Sequence, residues 1–138
     1  MKQLAKKMST LERDISNERG DFSFFALFVR EDSPNHWDLV AAAPWLKDNE
    51  WEVRSYITKE LRARLDTQEL FALGAIVFLN EDDPKLQRVQ RDIALEHEIS
   101  VAHGVAELRD EEFFGMGMMR AYIITSKHRN LVTPLKMG

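Results

Sequence analysis

The sequence predicts a single α/β domain (of the α+β type), with helices packed on a mixed sheet of about five strands. Short runs rich in aromatic and β-branched residues indicate strands, and apolar residues every three or four positions indicate helices, in the order α-β-β-α-β-α-β-β. The strand, helix and strand between Trp37 and Leu79 form a crossover, which favours a parallel strand pair with a right-handed connection. At 138 residues, 44% hydrophobic and 30% charged, the chain has the size and composition of one globular domain.

The first element is an amphipathic helix over residues 1–20. Its pattern stops at Gly20, a common signal for a helix end. The apolar residues recur at spacings of four, three and four; they are Leu4, Met8, Leu11 and Ile15. Such a narrow stripe is typical of the seam of a helix pair. The helix therefore docks either on its own domain or against the same helix of a second chain, and both alternatives stay open.

Two strands and a second helix follow. Phe22–Val29 and the segment WDLVAAA, which starts at Trp37, read as an antiparallel hairpin around the turn-forming Asp-Ser-Pro-Asn. Pro44 ends the second strand because it cannot donate to a β-ladder. Asp48 is predicted to be the N-cap of the next helix, which runs to Leu65.

The next elements carry clear start signals. A capping box at Asp66–Glu69 predicts a short helical turn that ends near Gly74. Ala75–Leu79 has no polar alternation, so it is predicted to be a central strand covered on both faces. Asp83 and Pro84 predict the N-cap and first residue of another helix.

The last two strands, EISVAHGVAEL and MMRAYIITS, are predicted to join across an acidic turn, and residues 128–138 read as a basic tail.

The net charge of the chain is −4 and is unevenly distributed. Because residues 1–20 carry +2 and residues 120–138 carry +4, the stretch between them carries −10. A body this acidic repels phosphate backbones, so nucleic acid is not an expected partner. The basic end is interpreted as a solvated tail rather than a nucleic-acid contact.

The chain contains no cysteine, which excludes thiol chemistry, disulfides and cysteine-ligated zinc. The first twenty residues lack the apolar core of a secretory signal. No apolar run reaches the roughly 18 residues of a membrane span. We therefore expect a cytoplasmic protein with no membrane partner.

All three tryptophans lie within fifteen residues. Trp37 begins a strand, Trp45 lies in the strand-to-helix loop, and Trp51 lies in the first turn of the helix. At least two of them are expected to close off the core. Trp45 is predicted to be exposed and to bind a partner or ligand together with Trp37, Asp48 and Asn49, because loops after strands carry many binding sites.

A second candidate binding surface lies around the last inter-strand turn. Phe113, Phe114, Met116 and Met118 combine aromatic rings with flexible thioethers, which occur in adaptable contact surfaces as well as in cores.

Carboxylates provide an alternative hypothesis. Glu81 and Asp82 follow the third strand and Asp38 lies on the neighbouring strand, so the three could hold Mg²⁺ in a metal-dependent hydrolase of phosphodiesters. Against this, Asp38 lies near the start of its strand and is expected at the opposite end of the sheet. His97 and His103 could also ligate a metal, although His97 equally suits a helix C-terminus.

In the segments LFVREDSPNHWDLVAAAPWL and AYIITS the chain resembles a family of small uncharacterised bacterial proteins. The shared patterns are Arg-Glu-Asp-Ser-Pro, Trp-Asp-Leu and Ala-Pro-Trp, and the resemblance spans residues 22–127. It implies a bacterial source and a shared surface at Arg30–Ser33, Trp37, Asp38 and Pro44–Trp45. It implies no activity and no site residues to transfer.

No nucleophile, base and orienting group are recognisable together, and no cofactor is expected. The sequence therefore predicts a non-enzymatic module that binds a protein or a small ligand. We expect it to be a homodimer, with another protein as a further partner and the metal-dependent hydrolase as the alternative function.

Overall fold

The computed structural model describes residues 1–47 and 49–127 and confirms a mixed α/β architecture with one five-stranded sheet. The elements in chain order are α1 (Lys2–Arg19), β1 (Phe24–Arg30), β2 (Trp37–Ala42), a 3₁₀ turn (Pro44–Lys47), α2 (Glu50–Arg64), α3 (Thr67–Ala72), β3 (Leu73–Phe78), α4 (Pro84–Glu96), β4 (Ala106–Phe113) and β5 (Met116–Ser126). The predicted basic tail at 128–138 lies outside the described residues. No helix within the described ranges is long and apolar enough to cross a membrane.

The strands lie in the order β3-β2-β1-β5-β4. Among the described strands only β2 and β3 pair in the parallel sense, and α2 and α3 connect them, as the crossover prediction requires. The β1–β2 hairpin is antiparallel, as predicted. Because α2 leaves the carboxyl end of β2 and returns to the amino end of β3, it runs opposite to both strands.

Strand β1 is buried on both faces. Phe25 and Leu27 belong to a core formed with α1 and α2. Phe24, Ala26 and Phe28 belong to a second core, formed with α4. Since successive strand residues point to opposite faces, the sheet lies between an α1–α2 layer and α4. This placement explains the continuous apolar run FFALFV.

The N-terminal helix α1 docks on its own domain, which decides between the two alternatives. The four residues of its stripe are each at most 3% exposed: Leu4, Met8, Leu11 and Ile15. Arg19 forms an ion pair of 2.6 Å with Glu52 of α2. Gly20 then ends the helix with a φ of 117°, a conformation that favours glycine. The stripe is wide enough for a core helix because Ala5, Glu12 and Ser16 are buried beside it.

Strand β3 is an edge strand, so the prediction of a central strand is wrong. Its sides differ: Ile76 and Phe78 pack partly against the α1–α2 core, whereas Val77 is 37% exposed and Ala75 is exposed. The run lacks polar alternation because small and apolar residues occupy the exposed face. β1 is flanked by β2 and β5, so β3 can pair only on the outer side of β2.

The predicted caps of α3 and α4 are confirmed. Asp66 and Glu69 form the reciprocal capping box, and the Asp83 side chain accepts a hydrogen bond from the Lys85 backbone N–H at the start of α4. The N-cap of α2 is Asn49, whose Oδ1 accepts from the Glu52 backbone N–H at 3.2 Å, and not Asp48 as predicted. Asp48 itself lies outside the described residues.

The predicted acidic turn is also wrong, because its acids lie within β4. β4 begins at Ala106, and Phe113 pairs with Met116 across a two-residue turn. The turn residues Phe114 and Gly115 have φ values of 56° and 72°, as in a type I′ hairpin. Charged side chains along β4 suit a sheet edge, since they oppose pairing with other strands.

The Tyr122 hydroxyl gives a test of the α1–α2 core. The residue is 1% exposed, and its hydroxyl has no hydrogen-bond partner among the described residues. We expect Tyr122→Phe to leave the free energy of unfolding unchanged or to raise it by up to about 1 kcal/mol, because an unpaired buried hydroxyl is destabilising. Tyr122→Ala is expected to cost about 3–5 kcal/mol through the lost ring. Urea denaturation measures both; a loss of more than about 1 kcal/mol in Tyr122→Phe means that the hydroxyl has a partner.

Candidate functional site

Two tryptophans of the predicted corner make contacts within the domain. Trp37 is 2% exposed, and its indole N–H donates to the Glu69 carbonyl at 3.0 Å. Trp45 is half-buried: its N–H donates to the Gly20 carbonyl at 2.9 Å, and its ring packs edge-on against Phe22. The prediction of an exposed Trp45 is therefore wrong, because the loop folds back onto the end of α1. Asn49 is exposed and caps α2.

The exposed tryptophan is Trp51, in the first turn of α2. Its exposed fraction is 78%, and Phe71 in α3 reaches 85%. Phe71 lies two residues before β3, and Trp51 lies one helical turn before Arg54, which contacts β3. We call Trp51, Phe71 and the open side of β3 the β3-edge surface.

The open side of β3 presents backbone groups that no described strand pairs with. The Leu79 N–H donates to the Ala41 carbonyl of β2 at 2.9 Å. Because a strand directs alternate residues to alternate sides, the N–H and C=O groups of Ile76 and Phe78 face outward, whereas a register shift against β2 interrupts the alternation at Gly74. In agreement, the Arg54 guanidinium reaches the edge and donates to the Ile76 carbonyl at 2.9 Å.

Helix α2 carries charges of opposite sign along its side beside this edge. A shallow groove there is lined by Trp51, Arg54, Ser55, Thr58, Lys59 and Arg62. Glu50, with a side chain 68% exposed, lies at the start of the helix next to Trp51. Lys59 and Arg62 lie in its second half. The acidic and aromatic end of α2 is thus at the carboxyl end of β3, and the basic end is at the amino end.

The sequence contains a signal for this surface that the predictions did not use. The core stripe of α2 is Val53, Ile57 and Leu61. Trp51 is two residues before this stripe, on a different side of the helix, so a tryptophan at that position is expected in solvent. The edge position of β3 had no such signal, because strand order depends on the whole sheet.

The second predicted surface is divided between core and solvent. Phe113 and Met118 are 3% and 2% exposed and belong to the α4 core. Phe114 is half-buried and Met116 is 41% exposed. Phe113 and Phe114 nevertheless line a groove between α4 and the β4–β5 turn, so part of this prediction coincides with a cavity.

The carboxylates of the hydrolase alternative are not brought together. Asp38 pairs with Ala75 near the amino end of β3, and its carboxylate forms an ion pair with Arg30 at 3.2 Å. Glu81 and Asp82 follow the opposite end of β3. Asp82 lies 3.9 Å from the Lys47 ammonium. The described residues contain no group of three or more His, Asp or Glu side chains placed to hold a metal ion.

One polar network was missed by sequence reasoning. Glu12 of α1 is fully buried, and its carboxylate lies 2.6 Å from Nδ1 of His103 and accepts from the Thr125 hydroxyl at 2.7 Å. His103 has a φ of 56°, and its backbone N–H donates to Thr125 Oγ1 at 3.0 Å. A carboxylate that orients an imidazole is a common arrangement in acid–base sites. The described contacts of His103 lead to α1 and β5, so the network ties the loop before β4 to both. The sequence contains one signal for this network: Glu12 lies four residues after Met8, and therefore on the apolar stripe of α1.

His97 is the C-terminal cap of α4, as its position suggested. Its Nε2 lies 3.4 Å from the Glu111 carboxylate of β4, so the two histidines lie in separate ion pairs.

No protein-family model matches this chain, and neither the curated proteins nor the solved structures provide a match. The resemblance to a bacterial family therefore stays a prediction, and the candidate surfaces rest on the geometry alone.

The Glu12 network predicts a large stability effect. Glu12→Ala removes the acceptor of His103 and Thr125 and leaves the O–H donor of the buried Thr125 without a partner. We expect a loss of about 2–4 kcal/mol in the free energy of unfolding. Glu12→Gln keeps one acceptor oxygen and is expected to lose less. Arg13→Ala, at an exposed position of the same helix, is the matched control. Equal stability of the Glu12→Ala and Arg13→Ala proteins would contradict a structural role of the network.

Proposed function

We propose that this protein is a non-enzymatic interaction module that forms a homodimer through the β3-edge surface. The observation that carries the proposal is an apolar edge strand flanked by two of the most exposed aromatic side chains, Trp51 and Phe71. The other edge strand, β4, is rich in charged residues, as expected of an edge that stays unpaired. As part of this proposal the protein is cytoplasmic, since a cysteine-free chain suits a reducing compartment.

A second copy suits the backbone of the edge. Two β3 strands related by a two-fold axis run antiparallel, and an axis at Ile76 places the two Ile76 residues opposite each other. Their backbone groups face outward, so this pair can exchange two N–H···O bonds. Arg54 does not prevent this, because a carbonyl oxygen has two lone pairs and can accept from both the guanidinium and a partner N–H.

A second copy also suits the side chains. The same axis places the start of α2 in one copy beside the end of α2 in the other. Glu50 and Trp51 then face Lys59 and Arg62 of the partner helix. Opposite charges meet, and an arginine can lie over an indole ring, the most favourable partner in cation–π contacts. The surface is complementary to itself in this orientation alone, since parallel helices would bring like charges together.

The aromatic residues provide the first test. Light scattering of the intact chain is expected to give twice the chain mass. Trp51→Ala with Phe71→Ala is expected to give the mass of one chain, since a central aromatic contributes about 2 kcal/mol or more to an interface, about 30-fold in Kd for each. Leu95→Ala is the control, because Leu95 is 58% exposed on α4, away from this surface. A single-chain mass for the wild-type protein at high concentration would overturn the proposal.

Charge exchange tests the orientation. Glu50→Arg or Arg62→Glu alone brings like charges together and is expected to weaken the dimer about tenfold, whereas the two changes combined restore opposite charges and recover most of the affinity. Sedimentation at several protein concentrations measures the dissociation constant. Single variants that dimerise like the wild-type protein would rule out the antiparallel contact of the α2 helices.

A further inference from the structure

We propose that the groove between α4 and the β4–β5 turn binds a free amino acid with an apolar side chain. The groove has a volume of about 460 Å³, and the residues that line it include Lys85, Arg88, Val89, Asp92, Phe113 and Phe114. Small-ligand sites have volumes of about 300–1,000 Å³, so the size is suitable. The groove lies on the α4 face, and this inference does not depend on dimerisation through the β3-edge surface.

The groove has an apolar floor. Val89 and Phe113 are each 3% exposed and belong to the α4 core. Phe114 lies over this core, with its ring edge-on to Phe28 at 5.8 Å between centroids. An aliphatic or aromatic side chain placed here would be removed from water between a helix and two phenyl rings, which favours apolar ligands.

The rim carries charges of both signs. Lys85, Arg88 and Asp92 follow one another at helical spacing, so they lie on the same side of α4. Within residues 1–47 and 49–127 no ion pair joins any of these three side chains to another residue. Arg88 and Asp92 lie one helical turn apart and do not pair with each other, so each side chain can contact a ligand.

This combination of groups specifies the ligand class. Lys85 and Arg88 suit a carboxylate, which guanidinium groups bind in a bidentate manner. Asp92 suits an ammonium. About one helical turn separates the two charge types, roughly 5–6 Å between Cβ atoms, which leaves room for the adjacent carboxylate and ammonium of a zwitterion. A ligand with only a negative charge or only a positive charge would pair with the side chains of one sign on the rim and leave the others unpaired.

The turn provides an independent observation. Phe114 occupies the first position of a type I′ turn with a φ of 56°, where asparagine, aspartate or glycine is preferred. A bulky side chain in this region is strained, and such strain is concentrated at binding and catalytic sites. The cost is understandable if the phenyl ring is required at the mouth of the groove.

Titration with L-phenylalanine, followed by the chemical shifts of backbone amides, tests the ligand class. We expect saturable shifts confined to α4 and the β4–β5 turn. Phenylpropionate lacks the ammonium and phenethylamine lacks the carboxylate, so each is expected to bind about tenfold more weakly, the equivalent of one charge-assisted hydrogen bond. Equal binding of all three compounds, or no shifts at these residues, would overturn the proposal.

Variants test the residues. Arg88→Gln and Asp92→Asn are each expected to raise the Kd for L-phenylalanine about tenfold, whereas Arg91→Gln, exposed and outside the groove, leaves it unchanged. Phe114→Asn provides the sequence that a type I′ turn prefers, so the protein is expected to fold and to lose binding. Amide spectra of the free variant verify the fold. Wild-type affinity in Phe114→Asn or in both charge variants would contradict the assignment.

Discussion

The parallel pairing of β2 with β3 is the constraint on which the other features depend. It forces the connection to cross the sheet as a helix, and α2 therefore runs opposite to β3 with its two charge types at opposite ends of the strand. It leaves Asp38 and the Glu81–Asp82 pair at opposite ends of the sheet. It also places β3 outside the β1–β2 hairpin, which creates the open edge.

The two edge strands of the sheet differ in how their exposed sides are protected from pairing with other strands. β4 carries four acids and Arg109 among its eight residues, so its exposed side is strongly solvated. β3 is covered only in part, by the Arg54 guanidinium that donates to Ile76 and lies 4.6 Å above the Phe78 ring. Unprotected apolar edges favour association with other strands, since each unpaired N–H and C=O is a ready hydrogen-bonding group. This asymmetry between the edges is the reason that the proposed dimer is assigned to β3 and not to β4.

The interior of the molecule is not purely apolar. Glu12 introduces a polar group into the side of α1 that packs on the sheet, and its burial is tolerated because His103 and Thr125 provide hydrogen-bond partners. This contact links the first helix to a loop more than ninety residues later in the chain. A polar contact of this kind is directional, whereas the apolar contacts around it are not. It therefore fixes the rotation of α1 on the sheet more closely than Met8 or Leu11 could.

Local patterns in the sequence determined the type and order of the elements. Gly20, the Asp66 capping box and the Asp83–Pro84 pair predicted helix boundaries correctly, because a cap acts within one turn of its own helix. The tertiary structure alone decided that Trp45 is half-buried while Trp51 is exposed, that β3 is an edge, and that Glu12 meets His103. Periodicity shows which residues share a side of an element, but whether another element covers that side depends on contacts between residues far apart in the chain.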